Sequence, residues 1–198
     1  MSLSGSAWSA DLFGILSGMG MTGPNLMDFT DAVGIGSTTH VVGKAFVTVD
    51  VGLTAGSGSG IGTGITGIVG ATVASAIFSD AVAAFGQSGP SLQDICDAIG
   101  QALVTEMGSA SLTSTHSPVF LGAGTITAGS ITVSGSPWGS SVQSAAPSFI
   151  GPSWADFAGA IGTGSASGFS SATGSVVISG APPPFPAPGG GSGSGTIS

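Results

Sequence analysis

Apolar residues recur at helical spacing in three similar stretches of the chain. These stretches read GPNLMDFTDAVG from residue 23, GPSLQDICDAIG from residue 89 and GPSWADFAGAIG from residue 151. In each stretch the apolar side chains fall three and then four residues apart, so they share one face of a helix. The three faces comprise Leu26, Phe29 and Val33; Leu92, Ile95 and Ile99; and Trp154, Phe157 and Ile161. The pattern predicts three short amphipathic helices, each with one face to pack.

The residues that flank each apolar face are those that begin and end helices. One N-cap is predicted for each helix, in the order Asn25, Ser91 and Ser153. An acid that suits a capping box follows three residues later, at Asp28, Asp94 and Asp156. A proline precedes each cap and a glycine offers a left-handed stop: Pro24, Pro90 and Pro152, then Gly34, Gly100 and Gly162. We therefore interpret the three aspartates as capping residues rather than as a catalytic trio. In the second copy we expect the helix to continue to Gly108.

Alternating β-formers follow each predicted helix. FVTVDV from residue 46, TITAGSITV from residue 125 and the shorter GSVVISG from residue 174 have the two-residue period of half-buried strands. Residues 71–86 are rich in alanine and end in Gly86, which predicts a further helix. Each unit is thus a capped helix followed by an extended or hairpin segment, and the predicted fold class is α+β. The alternative is a mostly irregular chain that is ordered only by its neighbours.

The repeats divide the chain into five parts. Residues 1–22 form an N-terminal segment, 23–88 the first unit with a Gly-rich segment and the Ala-rich helix, 89–150 the second unit, 151–181 a short third unit, and 182–198 a Pro/Gly/Ser-rich arm. The Gly-rich stretch from residue 55 suits either a packed layer or a linker. We expect the C-terminal arm to be disordered in a free monomer and to lie along a neighbour in an assembly.

Charge is scarce along the whole chain. Its 198 residues include one basic residue, Lys44, and nine acids, for a formal net charge of -8. Only 5% of residues are charged, against roughly a quarter in an ordinary soluble protein, so we expect other subunits to cover much of the surface. A single lysine does not neutralise a phosphate backbone, which excludes nucleic acid as a partner.

Candidate catalytic, metal and cofactor residues do not form a recognisable motif. His40 and His116 follow a threonine in two of the repeats, which leaves open a shared metal or two local hydrogen bonds. Cys96 is alone and is interpreted as a small buried helix residue. Trp138 could mark a carbohydrate site, but the tryptophans are scattered rather than grouped. We predict no catalytic, cofactor-binding or metal site, no cofactor and no enzymatic activity.

The low-charge Gly/Ser/Thr-rich texture, the segment STHSPVFLGAGTITAGSITVSG from residue 114 and the short capped helices in loose repeats resemble virion structural proteins of tailed bacteriophages, especially tail, baseplate or neck components. The resemblance implies many symmetrically packed copies, with this chain and other virion proteins as partners and the virion as location. It transfers no functional residue. The expected function is therefore that of a non-enzymatic structural subunit in a large multi-copy assembly.

Two alternatives of another class stay open. The uncharged segment 51–79 could insert in a membrane, although it is only mildly apolar and lacks a Lys/Arg flank. The serine and threonine content also suits a cell-surface adhesin or coat component.

Overall fold

Among the described residues the chain repeats the order helix, helix, strand, strand three times, with one further two-residue strand in the second repeat. The computed structural model describes residues 3–53, 58–86, 89–116, 121–126, 131–146, 148, 151–170, 172–180 and 189–198. Unit 1 comprises α1 (Gly5–Gly18), α2 (Asn25–Val41), β1 (Ala45–Leu53) and β2 (Gly58–Thr66). Unit 2 comprises α3 (Gly70–Phe85), α4 (Pro90–Ser109), β3 (Ser111–His116), β4 (Leu121–Ile126) and the two-residue β5 (Ile131–Thr132). Unit 3 comprises α5 (Gly135–Ala145), α6 (Pro152–Phe169), β6 (Gly174–Gly180) and β7 (Gly189–Ile197).

The predicted α+β class and its three related helix-plus-strand units are confirmed. In the structure the repeat begins one helix before the positions 23, 89 and 151 from which the sequence motif starts, because α1, α3 and α5 each precede a motif helix. The Ala-rich helix is therefore the first helix of unit 2 rather than the end of unit 1.

The strands form one antiparallel sheet that closes on itself, termed here the strand ring. Its order is β2-β1-β7-β6-β4-β3, and β3 pairs back onto β2. Each unit contributes a hairpin of neighbouring strands, and the hairpins are joined by the pairs β2–β3, β4–β6 and β7–β1. Every unit therefore completes the backbone hydrogen bonding of the other two.

The six helices of the described residues form a second closed arrangement, the helix ring. Each helix contacts the next one in sequence, and α6 contacts α1. Because α2, α4 and α6 each lead into a strand within a few residues, the helix ring lies on one end of the strand ring. The two rings share one core.

The first helices of the three units bury the same positions, spaced 65 residues apart in sequence. Within each unit these positions are four residues apart and share one face of the helix, the last position of unit 3 lying directly after the end of α5. The buried sets are Trp8, Val73 and Trp138; Leu12, Ile77 and Val142; and Leu16, Ala81 and Ala146. Residues at matching positions of different units are termed counterparts below.

The strand ring is filled at its helix end by counterparts too. One buried set comes from the first strand of each hairpin, and the other comes from the second half of each hairpin. They are Phe46, Leu112 and Val176, and Ile65, Ile131 and Ile197. Where the side chains are described, buried Phe46 is followed by exposed Val47 and exposed Ser175 by buried Val176, as the two-residue period predicts.

The glycines that end the sequence motif lie inside their helices, so the predicted stops at Gly34 and Gly162 are wrong, whereas the predicted continuation of the second helix past Gly100 to Gly108 is confirmed. The helices run on to Val41, Ser109 and Phe169. A Cβ atom at any of the three glycines would collide with the carbonyl oxygen of a glycine at the start of the preceding helix: Gly5, Gly70 or Gly135. Glycine is required because the two helices of each unit cross backbone to backbone.

The predicted N-caps at Asn25, Ser91 and Ser153 are also wrong. α2 begins at Asn25 itself, whereas α4 and α6 begin at Pro90 and Pro152, and none of the three has a side-chain cap hydrogen bond. Proline suits the first helical position because its φ is preset and the N–H it lacks would be unpaired there. The capping boxes predicted with the three aspartates therefore lack their N-cap partner.

The prediction for Gly86 is confirmed, whereas the prediction for the C-terminal arm is not. Helix α3 ends before Gly86 as predicted, and the φ of Gly86 is 65°, in the left-handed region. The C-terminal arm, in contrast, is not free: residues 189–197 form β7 between β1 and β6, and residues 182–188 lie outside the described part. A Cβ atom at Gly195 would lie 2.6 Å from Phe46 Cζ, so glycine here lets the strand pass over a buried aromatic ring.

Candidate interaction surface

The two histidines lie on different elements. His40 is in the last turn of α2, and His116 ends β3, where its backbone pairs with Gly58 and Gly124. Within the described residues, no group of three or more His, Cys, Asp or Glu side chains is placed to hold a metal ion. The side chain of His116 lies outside the described residues, so the choice between a shared metal and two local hydrogen bonds stays as the sequence left it.

Cys96 is fully buried in α4, which confirms its interpretation as a buried helix residue. Burial, reinforced by the charge of neighbouring Asp97, raises the pKa of the Cys96 thiol to about 12. The thiol is therefore neutral at physiological pH, and a neutral buried thiol is a poor nucleophile. Its counterparts in units 1 and 3 are Thr30 and Ala158, both fully buried, so the position selects small side chains.

Serine hydroxyls bind carboxylates between neighbouring helices. Ser9 on α1 donates to Asp31 on α2, and Ser141 on α5 donates to Glu106 on α4 at 2.9 Å. In these pairs the serine faces a carboxylate and not an imidazole, which is the base that usually activates a serine nucleophile. The hydrogen bonds join helices around the ring and do not form a catalytic triad.

The tryptophans belong to the core. The rings of Trp8 and Trp138 meet edge to face with centroids 5.9 Å apart, and Phe169 lies 6.0 Å from Trp8. Trp154 stacks on Phe157 at 5.5 Å. Trp138 is only 1% exposed, so the suggestion of a carbohydrate site at its ring is wrong.

Among the side chains that the structure describes, the exposed large apolar ones are concentrated in unit 1. Six of the eight among the described residues belong to this unit: Met19, Met27, Ile35, Val42, Val47 and Ile61. Val69 and Val104 belong to unit 2, and none of the eight lies in the described part of unit 3. The three units share a core but differ in what they present to solvent.

One line of these residues runs along α2. Asp28, Ile35 and Val42 are seven residues apart, which is about two helical turns, so they lie along one side of the helix. Ile35 is 50% exposed and Val42 is 42% exposed. Both line a groove of about 360 Å³ between the start of α1 and the end of α2, together with uncharged Ser4, Gly5, Ser6, Thr38 and Thr39. This line of three residues and its groove are termed the α2 face.

Along the sequence, α2 has acids at its beginning and a base three residues after its end. Asp28 lies in the first turn of α2, and Asp31 follows less than one turn later. At the opposite end, Lys44 comes two residues after Val42 and is the only lysine or arginine of the chain. Both placements agree with the dipole of the helix, which favours acids near its beginning and cations near its end.

Units 2 and 3 do not repeat the α2 face. The counterparts of Ile35 are Gln101 on α4 and Thr163 on α6. The counterparts of Val42 are Gly108 and Ser170. Inward-facing Val33 has the apolar counterparts Ile99 and Ile161, which are buried. Packing within the fold therefore preserves the inner positions and does not require aliphatic residues at the outer ones.

Two further exposed apolar residues lie on the outer surface of the strand ring, termed here its wall. Val47 on β1 is 62% exposed and Ile61 on β2 is 55% exposed. Ile61 is paired in register with Thr113 of β3, which is also exposed, so the wall continues as an uncharged polar surface into unit 2.

Sequence reasoning did not find these surface residues. A signal was present in the aligned repeats: the residue directly after the last motif glycine is Ile35 in the first copy, Gln101 in the second and Thr163 in the third. An outer position that is apolar in one copy and polar in the other two marks a surface that packing inside the chain does not explain.

Comparisons with family models, with curated proteins and with solved structures find no match to this chain. Its function is therefore inferred from its own surface and charge.

Proposed function

We propose that this chain is a non-enzymatic structural subunit of a large multi-copy assembly, of the kind that forms the tail, baseplate or neck of a tailed-bacteriophage virion. Its partners are copies of itself and other virion proteins. The observation that carries the proposal is the concentration of exposed large apolar side chains on unit 1, six of the eight among the described residues. Exposed apolar patches are a usual mark of protein interaction sites.

The distribution of charge supports the same function. Eight of the nine acids lie on helices, and Asp50 is the one acid of the strand ring. The wall that presents Val47 and Ile61 is thus nearly free of the charge that keeps a monomer in solution. Burying such a wall against another subunit removes apolar area from water without leaving unpaired charges behind.

Sedimentation velocity of the purified chain over a concentration series, with circular dichroism on the same samples, tests the proposal. We expect a folded species whose mass increases with concentration to a discrete oligomer. Val47→Lys together with Ile61→Lys should shift the series toward smaller species. Thr132→Lys together with Ser175→Lys is the matched control, because it adds the same two charges at exposed strand positions without removing an apolar side chain.

A folded chain that stays monomeric at every concentration would contradict the proposal. Flotation with lipid vesicles would then favour membrane insertion of segment 51–79. In the structure this segment is divided among β1, β2 and α3, and within the described residues no helix has both the length and the apolarity to cross a bilayer. Binding of the isolated chain to whole cells would favour a surface adhesin.

A further inference from the structure

We propose that two copies of this chain pair through the α2 face, with their α2 helices antiparallel and a twofold axis beside Ile35. The inference deepens the proposed assembly function and rests on it, since it identifies one of the contacts by which copies meet.

The positions on the α2 face are symmetric about Ile35. Asp28 lies seven residues before it and Val42 seven residues after it, about 10 Å along the helix in either direction. A twofold axis beside Ile35 therefore places Ile35 against Ile35 of the second copy. It also places Val42 of each copy against the first turns of α2 in the other. This is the self-complementary arrangement that a twofold interface requires.

The charges distinguish the antiparallel from the parallel arrangement. Antiparallel pairing brings Lys44 of one copy toward Asp28 of the other, and this happens twice across the interface. Parallel pairing would instead bring Asp28 against Asp28 and Lys44 against Lys44, which is unfavourable at both ends. Met27, which is 55% exposed beside Asp28, would cover Val42 of the second copy.

The contrast of α2 with α4 and α6 favours a second copy as the partner. The alternative is a partner that contacts all three units in the same way. Such a partner would contact three equivalent surfaces, whereas Ile35 corresponds to Gln101 and Thr163. The basic residue is equally unique, because Lys44 has no basic counterpart elsewhere in the chain. The interface uses one unit alone, and that unit supplies both the acid and the base. The surface complementary to it is therefore the α2 face of a second copy.

Disulfide cross-linking of cysteine variants under mild oxidation tests the geometry. Ile35→Cys should form a covalent dimer, because this position lies beside the axis. Met27→Cys and Val42→Cys should each remain monomeric alone and should cross-link to each other when mixed. Native Cys96 is fully buried and does not compete in the folded chain. Cross-linking of each single variant to itself, without cross-linking in the mixture, would establish the parallel arrangement and overturn the proposal.

Sedimentation velocity of charge and size variants tests the energetics. Ile35→Lys should raise the dimer dissociation constant at least about tenfold while the circular dichroism spectrum is unchanged. Gln101→Lys, the same change at the counterpart on α4, should have no effect. Lys44→Glu and Asp28→Lys should each weaken the dimer, and combining both in one chain should restore it.

The outcomes separate this inference from the assembly function itself. If the wild-type chain assembles but Ile35→Lys assembles equally well and Ile35→Cys does not cross-link, the α2 contact is wrong and the assembly function stands. If the wild-type chain is a folded monomer at every concentration, both are wrong.

Discussion

Helices α2 and α4 occupy the same place in two units of one chain. Their differences are concentrated on the side that faces solvent. Toward the core, Val33 and Ile99 are equivalent and buried. Toward solvent, Ile35 in one helix is matched by Gln101 in the other. The inner side is constrained by helices and strands that recur in every unit, so it changes little. The outer side is constrained only by what the unit binds, so it shows where the units have acquired different roles.

The comparison suggests a direct kind of experiment, in which a residue is replaced by its own counterpart from another unit. Inner replacements measure how equivalent the three cores are, and outer replacements measure what makes unit 1 different.

The largest effect is expected for Trp8→Val, which gives unit 1 the residue that unit 2 has at Val73. Trp8 is fully buried and contacts both Trp138 and Phe169, so the smaller side chain leaves a cavity. We expect the free energy of unfolding to fall by about 3–5 kcal/mol. Urea denaturation followed by circular dichroism measures it.

Ile99→Val, which copies Val33, should cost only about 1 kcal/mol. Equal costs for the two variants would show that the tryptophan pair is not central to the core.

A smaller loss is expected for Gly162→Ala. The new methyl group would collide with the backbone of α5 at Gly135 and Gly139, so the free energy of unfolding should fall by about 1–3 kcal/mol. Gly159→Ala on the same helix is the matched control, because no atom of a neighbouring element lies within 4 Å of the place its methyl group would take and alanine is the better helix former. That variant should be as stable as the wild type or up to about 1 kcal/mol more stable. Equal destabilisation by both would argue against a backbone-to-backbone crossing.

A pH-dependent effect is expected at Cys96, whose counterpart in unit 3 is Ala158. The pKa of the folded thiol is raised to about 12 from an ordinary value of 9.0, so above pH 9 the unfolded chain loses its proton first. Stability should therefore fall by about 1.4 kcal/mol per pH unit between roughly pH 9 and 12 and be unaffected below pH 9. Urea denaturation at pH 8 and pH 10.5 measures this. In Cys96→Ala the free energy of unfolding should change less between these two pH values. An unchanged difference in free energy would assign the pH dependence to other groups.

The smallest effect on stability, and the most informative one on association, is expected for Gln101→Ile combined with Gly108→Val. These changes give α4 the outer residues of α2, and because both positions are exposed the free energy of unfolding should change by no more than about 0.5 kcal/mol. Sedimentation velocity should show species larger than the wild type forms at the same concentration. Gln101→Thr, which copies unit 3, should not. The new contact should be weaker than that of α2, because Ala110 is the counterpart of Lys44.

Local patterns in the sequence predicted the local elements well. Alternation predicted β1 and β6, and alanine content with Gly86 predicted α3 and its end. The motif helices were found, but their caps were misplaced and two of the three were expected to end too early, because a glycine at a helix crossing and a glycine at a helix end look the same in sequence. Only the contact of Gly100 with Gly70 of another helix distinguishes them.

Features that depend on distant partners were not predicted. Residues 189–197 read as a free arm because glycine and serine have little preference for strands, and β7 is held by β1 and β6 on its two sides. The α2 face was missed for a related reason. Its residues are ordinary helix residues until the fold shows that Ile35 faces outward.

The pairing of β7 with β1 also determines when the molecule can be finished during synthesis. Unit 1 leaves the ribosome first, with β2 as the only strand available to β1, and β2 itself awaits β3. The remaining side of β1 stays without its partner until residues 189–197 have been translated. Pairing between such distant segments is slow, and a bare strand invites contact with other nascent chains. The unit that is made first is thus the last to be completed, and the growing chain is most exposed to misassembly on the unit that also carries the apolar surface.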